Sequence, residues 1–226
     1  MSSKCDPHLG AKVRAHLLEK GIETPIAPTG LAEDEKIDLI ESRMRDVMIA
    51  LGLDIEDDSL AETPKRVAKM YVKELFWGLD PDKFPKCTTV QNKMGYNAMV
   101  IERCTVKSSC EHHLIYFGTA HDPDGLGAWV AYIPNEKVLG LSKLNRIVSY
   151  FAHRPQIQER LTEQVFHALQ YILETEDVAV LIKSQHFCVL ARGVEDENSY
   201  TVTSKLGGAF YHDPTTRSEF MSLCRS

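Results

Sequence analysis

The first third of this 226-residue chain carries apolar residues at helical spacing. Leu9, Val13 and Leu17 recur every four residues, as on one face of a helix. Asp6-Pro7 before them is typical of a helix start, and Gly21 after them is typical of a helix end. The pattern therefore predicts a short amphipathic helix at the beginning of the chain.

Two more helices are predicted before residue 80, with a linker ahead of them. The first spans about residues 32–51, where apolar residues step mostly by threes and fours and acidic residues suit the positive N-terminal end. The second opens at Thr63-Pro64, a capping residue followed by proline. Residues 23–30 contain two prolines and a glycine, which predicts a linker with little regular structure.

From residue 84 onward the pattern changes to short runs of β-branched and apolar residues, which predict strands. The predicted strands lie at residues 87–91, 99–106, 114–120, 128–133, 178–183, 186–191 and 200–206. The third and fourth are predicted to be the arms of a hairpin, because residues 122–125 supply turn chemistry between them. Two helices, from Leu141-Ser142 and from Pro155, interrupt the strands, and a terminal helix is predicted at residues 215–225.

These elements together predict an α+β fold. A mostly antiparallel sheet is interrupted by a pair of helices and preceded by a helical N-terminal region. We expect the boundary near residue 80, with residues 1–80 forming the helical region and residues 81–226 forming the domain that holds the sheet.

Composition narrows the class of protein. Hydrophobic content of 43% and charged content of 26% are ordinary for a globular chain. A net charge of −6 gives no reason to expect nucleic acid or an anionic membrane as a partner, and no apolar run approaches the length of a membrane span. Six irregularly spaced cysteines do not resemble a disulfide framework, and no apolar leader opens the sequence, so we expect a cytoplasmic protein.

A thiol, a carboxylate and two imidazoles are consecutive at residues 110–113. Cys110 and His113 are spaced as Cys-x-x-His, and Cys188 offers a second sulfur far downstream. Thiolates with an imidazole are a ligand set that zinc favours, and three protein ligands without a fourth are typical of a catalytic site. His112 and His186, each next to or near a ligand, would be free for proton transfer.

The spacing alone leaves other interpretations open. A cysteine in an apolar strand is usually a small buried hydrophobe, and we interpret Cys104 in this way. Paired histidines such as His112-His113 are often an accident of the surface. Cys110 and Cys188 could also form a disulfide, although nothing in the sequence suggests an oxidising compartment.

Clustered basic residues indicate an anionic ligand, and a polyphosphate would suit that many fixed positive charges. Ser142 and Lys143 follow Gly140 at a predicted helix start, where free backbone N–H groups favour anions. The other candidate cations are Arg146, Arg192, Arg66 and Lys69. The last two share a helix stripe with Lys73, and a solvated basic face is the simpler interpretation of that stripe by itself.

Gln158 and Glu159 are candidates for recognising a base. A carboxylate can accept two hydrogen bonds from the N–H edge of a guanine. Taken alone, the pair is as typical of an ordinary acidic first turn of a helix.

Eight motifs in the same order resemble the GTP cyclohydrolase I family, over roughly residue 58 to the end of the sequence. Each motif alone is weak, whereas eight in one order are very specific. The motifs are Glu62-Thr-Pro-Lys-Arg-Val-Ala-Lys-Met-Tyr71, Ser109-Cys-Glu-His-His-Leu114, Tyr132-Ile-Pro134, Val138-Leu-Gly-Leu-Ser-Lys-Leu-Asn-Arg146, Pro155-Gln-Ile-Gln-Glu-Arg-Leu-Thr162, His186-Phe-Cys188, Ala191-Arg-Gly193 and Thr203-Ser-Lys-Leu-Gly207.

The resemblance implies a zinc enzyme of pterin and folate biosynthesis. It would convert GTP and water into 7,8-dihydroneopterin triphosphate and formate. Attack on C8 of a purine needs hydroxide near neutral pH, and zinc lowers the pKa of its water from about 15.7 to about 7. By matching positions, the implied metal ligands are Cys110, His113 and Cys188, and the implied proton-transfer residues are His112 and His186.

The resemblance also implies a substrate site and an assembly. Glu159, helped by Gln158, would read the guanine edge. The implied contacts of the triphosphate side are Lys143, Arg146, Arg192, Arg66 and Lys69, with Ser142 nearby. The family has the tunnelling fold, whose sheets close into a barrel across five subunits, and two pentamers stack into a homodecamer. Active sites between subunits would let the distant Arg66 and Lys69 reach the pocket.

One segment departs from the family pattern. Residues 121–127 look longer than the usual hairpin turn, and a lengthened surface turn is the simplest interpretation.

Three other classes of protein fit less well. A catalytically silent member should have lost a metal ligand, a histidine or Glu159, and none is lost. A tunnelling-fold relative such as a nitrile reductase of the queuosine pathway would use a nucleophilic cysteine with NADPH, which the intact ligand set and the cation cluster oppose. A cytidine-deaminase-type zinc site would need a Pro-Cys-x-x-Cys element that the sequence lacks.

Overall fold

The computed structural model describes residues 4–119 and 125–225. The helices are α1 (Pro7–Glu19), α2 (Glu33–Ala50), α3 (Thr63–Lys69), α4 (Leu141–Ala152), α5 (Gln158–Leu173), α6 (Phe187–Leu190), α7 (Gly208–His212) and α8 (Pro214–Leu223). The strands are β1 (Thr89–Gln91), β2 (Val100–Cys104), β3 (Lys107–Cys110), β4 (Tyr116–Gly118), β5 (Gly127–Tyr132), β6 (Lys137–Leu139), β7 (Pro155–Gln156), β8 (Val178–His186) and β9 (Thr201–Leu206). In both described ranges, no helix combines the length and the apolar character that crossing a membrane requires.

The three helices predicted in the N-terminal third are confirmed. The Asp6 side chain accepts a hydrogen bond from the Leu9 N–H at 3.0 Å and so caps α1. At the start of α2, the Glu35 side chain accepts from the Ala32 N–H at 2.7 Å. Beyond Lys69, α3 widens into a π-helical stretch at Met70–Leu75.

The sheet is mixed but mostly antiparallel, as predicted for an α+β chain. Its strand order is β2-β5-β8-β4-β3-β7, with β9 also paired to β8, and β1 and β6 form a separate pair. Each described pairing is antiparallel except that of β3 with β7. The nine-residue β8 is the central strand, because β5, β9 and β4 all bond to it.

The predicted hairpin between residues 114–120 and 128–133 is wrong. Its two arms are β4 and β5, and they pair with β8 at different stretches instead of with each other. β5 lies between β2 and β8, whereas β4 lies between β3 and β8. Turn residues are a local signal. They cannot show that β8, which is far away in the sequence, pairs with each arm in place of the other arm. The predicted turn itself lies mainly on residues 122–124, outside the described residues.

Two other predictions are wrong at their boundaries. Residues Pro155–Gln156 form β7, and the helix predicted from Pro155 begins only at Gln158. The fixed φ of proline suits an extended strand as well as a first helical turn, so the sequence signal was ambiguous. Residues 186–191 do not form a strand, because β8 ends at His186 and α6 follows at once.

Successive side chains of β5 point to opposite faces of the sheet and pack in two different core clusters. Val130 and Tyr132 belong to the main core, where they join the apolar faces of α4 and α5. Trp129 faces the other way and packs in a second cluster with Phe210 of α7 and Phe220 of α8. Cys104 is 1% exposed within the main core, and its burial raises the pKa of its thiol to about 12, so its interpretation as a buried hydrophobe is confirmed.

Apolar packing and a buried ion pair tie the N-terminal region to the sheet-bearing region. Val13 and Leu17 of α1 belong to the main core. Glu23, in the predicted linker, lies 2.6 Å from Arg154, which follows α4, and both side chains are only 3% exposed. The Arg154 Nε also donates to the Gly78 carbonyl at 2.8 Å. Three segments of the chain are therefore held together out of contact with water.

We expect Glu23→Ala to lower the free energy of unfolding by about 3–5 kcal/mol, because it leaves the Arg154 charge buried without a counter-charge. Denaturant unfolding followed by circular dichroism measures the change. Glu19→Ala, at an exposed position on α1, is the matched control and should change stability by less than about 0.5 kcal/mol. Equal effects of the two substitutions would contradict the stabilising role of the pair.

Candidate metal centre

A tight turn at the end of β3 presents the first cluster of candidate residues. The Cys110 N–H donates to the Ile115 carbonyl at 2.8 Å, and the Leu114 N–H donates to the Cys110 carbonyl at 2.8 Å. Leu114 has a φ of 54°, a left-handed conformation that non-glycine residues seldom adopt. The turn therefore reverses the chain within a few residues and leaves His112 and His113 exposed beside the buried Cys110.

Strand pairing brings the distant cysteine to this turn. Phe117 of β4 is opposite His186 of β8, and Cys188 lies two residues further on, in α6. The ligand atoms of Cys110, His113 and Cys188 all lie within 4.8 Å of one another, and among the described residues they are the one group that could hold a metal ion. Both cysteines are free thiols, so the disulfide alternative is not adopted.

The donor set fits a divalent zinc ion. Tetrahedral bonds of about 2.0–2.3 Å place ligand atoms roughly 3.5–3.8 Å apart, so only small side-chain movements would close the cluster around an ion. Burial, followed by the adjacent Cys110 thiol, raises the pKa of Cys188. Two thiolates side by side in a partly buried site repel each other, and a cation between them removes that penalty.

His186 is held in one orientation. Its ring stacks on Phe117 with centroids 4.6 Å apart and planes 2° from parallel. Its Nε2 lies 2.8 Å from the Oε1 of Gln158. Burial lowers the pKa of His186, while the nearby carboxylate of Glu159 acts in the opposite direction. A half-buried, largely neutral imidazole next to the cysteine cluster is suited to accepting a proton.

The hydrogen bonds of Gln158 determine which nitrogen of His186 carries the proton. The Gln158 amide nitrogen faces the carbonyls of Ile182 at 3.0 Å and Thr201 at 3.1 Å, so the other end of the amide must be its oxygen. That oxygen only accepts, and it receives hydrogen bonds from Ser184 at 2.6 Å and from His186. His186 therefore holds its proton at Nε2 when neutral, which leaves Nδ1 without a proton.

Gln158 and Glu159 differ sharply in exposure. Gln158 is 1% exposed and both ends of its amide are bonded within the protein, so its described contacts are with the chain itself. Glu159 is exposed, and within the described residues its carboxylate makes no hydrogen bond or ion pair. The geometry leaves Glu159 available to an incoming ligand and gives Gln158 a supporting position.

The two exposed histidines have different neighbours. The Nδ1 of His112 lies 3.6 Å from the sulfur of Cys110. The Nη1 of Arg192 lies 3.2 Å from the Nε2 of His113, and that nitrogen is the acceptor because a guanidinium only donates. The structure thus brings Arg192, one of the predicted phosphate cations, directly to the cluster.

Ser142 and the other predicted cations do not pair with acidic groups, and all of them except the half-buried Lys143 are exposed. Ser142, Lys143 and Arg146 lie on the first two turns of α4, and Arg66 and Lys69 lie on α3. In the described part of the chain, none of these five side chains makes a hydrogen bond or ion pair. Lys73, the third member of the α3 stripe, instead pairs with Glu33 of α2 at 3.4 Å.

Sequence reasoning missed one polar pair at the site. The Arg160 guanidinium grips the Glu111 carboxylate through two contacts, at 2.6 Å and 3.3 Å. A signal was present, because Glu111 belongs to the Cys-Glu-His-His stretch and Arg160 follows Glu159 directly.

A separate cavity of about 630 Å³ lies between the 26–31 segment, α2 and Trp77, and none of the candidate site residues lines it. Its walls are largely apolar and include Ile40, Tyr71 and Phe76. The cysteine cluster instead opens onto the surface of the single chain, with His112, His113 and Arg192 all exposed.

Comparison with known proteins identifies the family of this chain. A GTP cyclohydrolase 1 of Shewanella amazonensis is 54% identical over 211 residues, which are 93% of this chain and 94% of that protein. A GTP cyclohydrolase 1 of Mannheimia succiniciproducens is 54% identical over 213 residues, covering 94% of each chain. The family model described as GTP cyclohydrolase I matches residues 40–225. A match over that much of the sequence shows that this chain belongs to the GTP cyclohydrolase I family.

Proposed function

We propose that this protein catalyses the GTP cyclohydrolase I reaction. It opens the imidazole ring of GTP at C8, releases that carbon as formate and forms 7,8-dihydroneopterin triphosphate, the first step of pterin and tetrahydrofolate biosynthesis. The observation that carries the proposal is the convergence of Cys110, His113 and Cys188 beside an oriented His186, in a chain that belongs to this family.

The three ligand residues support zinc as the metal. Cys110, His113 and Cys188 would hold it through two sulfurs and one imidazole nitrogen. When bound, zinc supplies the Lewis acidity that makes water a source of hydroxide near neutral pH. Since the chain offers three ligands in this cluster, a position remains for water or substrate.

Proton transfer is assigned to the two histidines. His186 keeps its own proton at Nε2, which donates a hydrogen bond to the Gln158 oxygen. The proton of the reaction is taken up or given back at Nδ1. His112 is exposed beside Cys110 and can serve a second transfer, which the multistep opening and reclosure of the substrate require. A nitrogen that departs from the purine ring must gain a proton, and a protonated imidazole can supply it.

Substrate recognition is assigned to charged side chains around the cluster. Glu159 would accept two hydrogen bonds from the guanine edge, and its exposure beside His186 supports this role. Gln158 would help indirectly, by holding His186. The proposed contacts of the triphosphate side are Ser142, Lys143, Arg146, Arg192, Arg66 and Lys69.

The assembly is also part of the proposal. We infer the tunnelling fold, a homodecamer of two pentamers, and active sites completed by neighbouring subunits. Support comes from the cations of α3 and α4, which have no acidic partner among the described residues, and from the open surface of the cluster in one chain. Residues 1–80 would then be the helical N-terminal region and residues 81–226 the catalytic domain. Free thiols throughout the described residues support a reducing, cytoplasmic location.

The purified protein should release one formate for each dihydropterin triphosphate formed from GTP. Chelation should abolish both products and added zinc should restore them, because hydroxide formation at neutral pH depends on the metal. Formate is measured with a coupled dehydrogenase and the pterin by its absorbance. A folded, zinc-loaded protein that releases no formate would overturn the reaction and favour a catalytically silent family member.

Cys188→Ala and His186→Ala should separate metal binding from proton transfer. Cys188→Ala should lose bound zinc, whereas His186→Ala should keep zinc and turn over roughly 10²–10⁴-fold more slowly. Zinc content after dialysis and kcat are the two readouts. Cys104→Ala, at a buried cysteine outside the cluster, should leave zinc content unchanged. Normal turnover by His186→Ala would contradict its acid–base role.

Glu159→Gln should reduce discrimination between GTP and inosine triphosphate, which lacks the guanine amino group. The carboxylate accepts from both N–H groups of guanine, so we expect a loss of about 1–3 kcal/mol in discrimination. The ratio of kcat/KM for the two nucleotides measures it. Glu163→Gln, one turn along α5 and paired with Lys205, is the matched control. An unchanged ratio in Glu159→Gln would remove Glu159 from guanine recognition.

A further inference from the structure

Glu111 is the one member of the Cys110–His113 stretch that the proposed reaction does not use, and its carboxylate is tightly engaged. Its Oε2 lies 2.6 Å from Nη1 of Arg160, and its Oε1 lies 3.3 Å from Nη2. Two parallel contacts between a carboxylate and a guanidinium define direction as well as distance. The side chains are 26% and 18% exposed, so this pair is better shielded than an ordinary surface ion pair.

The backbone joins the same two segments. Cys110 of β3 is paired in parallel with Gln156 of β7, and the Glu111 N–H donates to the Gln156 carbonyl at 2.9 Å. Gln156 is 0% exposed, and its amide nitrogen donates to the Phe151 carbonyl at 2.9 Å. The turn that carries the ligands is therefore attached at its beginning to a rigid, buried part of the α4–α5 connection.

The far end of the turn is held mainly by backbone hydrogen bonds, from the Leu114 N–H to the Cys110 carbonyl and from the Cys110 N–H to the Ile115 carbonyl. Leu114 is in a left-handed conformation and is 41% exposed, so apolar packing contributes little to holding it. His112 and His113, between the two ends, are exposed. The Glu111–Arg160 pair is the described side-chain ion pair that acts on this turn, one residue from the Cys110 ligand and two from the His113 ligand.

We propose that Arg160 is a positioning residue for the metal centre: through Glu111 it holds the turn at residues 110–113 in the geometry that binds the ion. The inference rests on the metal-dependent function proposed above and extends it to a residue pair without a role in that scheme. Groups that orient metal ligands from outside typically change metal affinity by about 10–100-fold when removed.

The test is a double-mutant cycle read out by zinc affinity. Glu111→Gln, Arg160→Gln and the double variant are compared with the unsubstituted protein in a zinc competition against a chromogenic chelator. Each single substitution should raise the Kd for zinc by about 10–100-fold. The Kd of the double variant should be no higher than that of the single variant with the higher Kd, because the two residues act through one contact. Additive losses, or a Kd within twofold of the original for Arg160→Gln, would overturn the proposal.

Two further variants guard against a general loss of folding. Arg160→Lys keeps the charge but not the two-pronged contact, so it should recover only part of the affinity. Lys205→Gln breaks another ion pair of α5, the 2.9 Å contact with Glu163, and should leave zinc affinity unchanged. Equal losses in Lys205→Gln and Arg160→Gln would show a non-specific effect on α5 and overturn positioning.

Cobalt substitution gives a readout that does not depend on turnover. Tetrahedral Co²⁺ bound by thiolates absorbs in the visible range, and the band responds to ligand geometry. The band should shift or weaken in Arg160→Gln and stay unchanged in Lys205→Gln. An unsubstituted protein that binds neither zinc nor cobalt would overturn the metal assignment itself, and this inference with it. Metal binding that is normal in every variant would overturn the positioning role alone.

Discussion

The pairing of β4 with the end of β8 is the interaction on which the candidate site depends. It places Phe117 opposite His186, stacks their rings, and brings Cys188 back to the turn that holds Cys110. Side chains alternate between the faces of a strand, so a shift of one residue would turn His186 away from its ring partner. β8 pairs with β5 from Val178 onward, and its buried side chains would have to change faces in such a shift, which makes the shift costly. The candidate metal centre thus derives its geometry from the sheet.

The first turn of α5 connects the parts of the site. Consecutive residues on a helix point about 100° apart, so three neighbours serve three different surroundings. Gln158 points into the protein and orients His186, Glu159 is exposed beside it, and Arg160 reaches the turn with Glu111. One short stretch therefore links the proposed base, the proposed guanine contact and the proposed metal ligands.

Some charged groups of the candidate site are paired within one chain, and others have no partner there. The cysteine cluster, His186 and the Glu111–Arg160 pair all form within one chain. The cations of α3 and α4 have no acidic partner in the described residues, and all of them except the half-buried Lys143 are exposed. Unpaired cations cost little in water and become useful only next to an anion, so their arrangement is consistent with a phosphate site shared between chains.

Several features followed from the sequence alone. Proline and capping residues marked the starts of α1 and α3, because a missing N–H and a side-chain acceptor suit a helix start wherever the chain goes next. The residue types of Cys110, His113 and Cys188 predicted a metal-binding cluster, because ligand chemistry is a property of the residues themselves, and the three ligand atoms do lie together. Which strand lies beside β4, where Gln158 directs its amide and what holds Glu111 were decided by tertiary structure. Those choices depend on segments far apart in the chain, whose pairing is governed by burial and register that no local pattern contains.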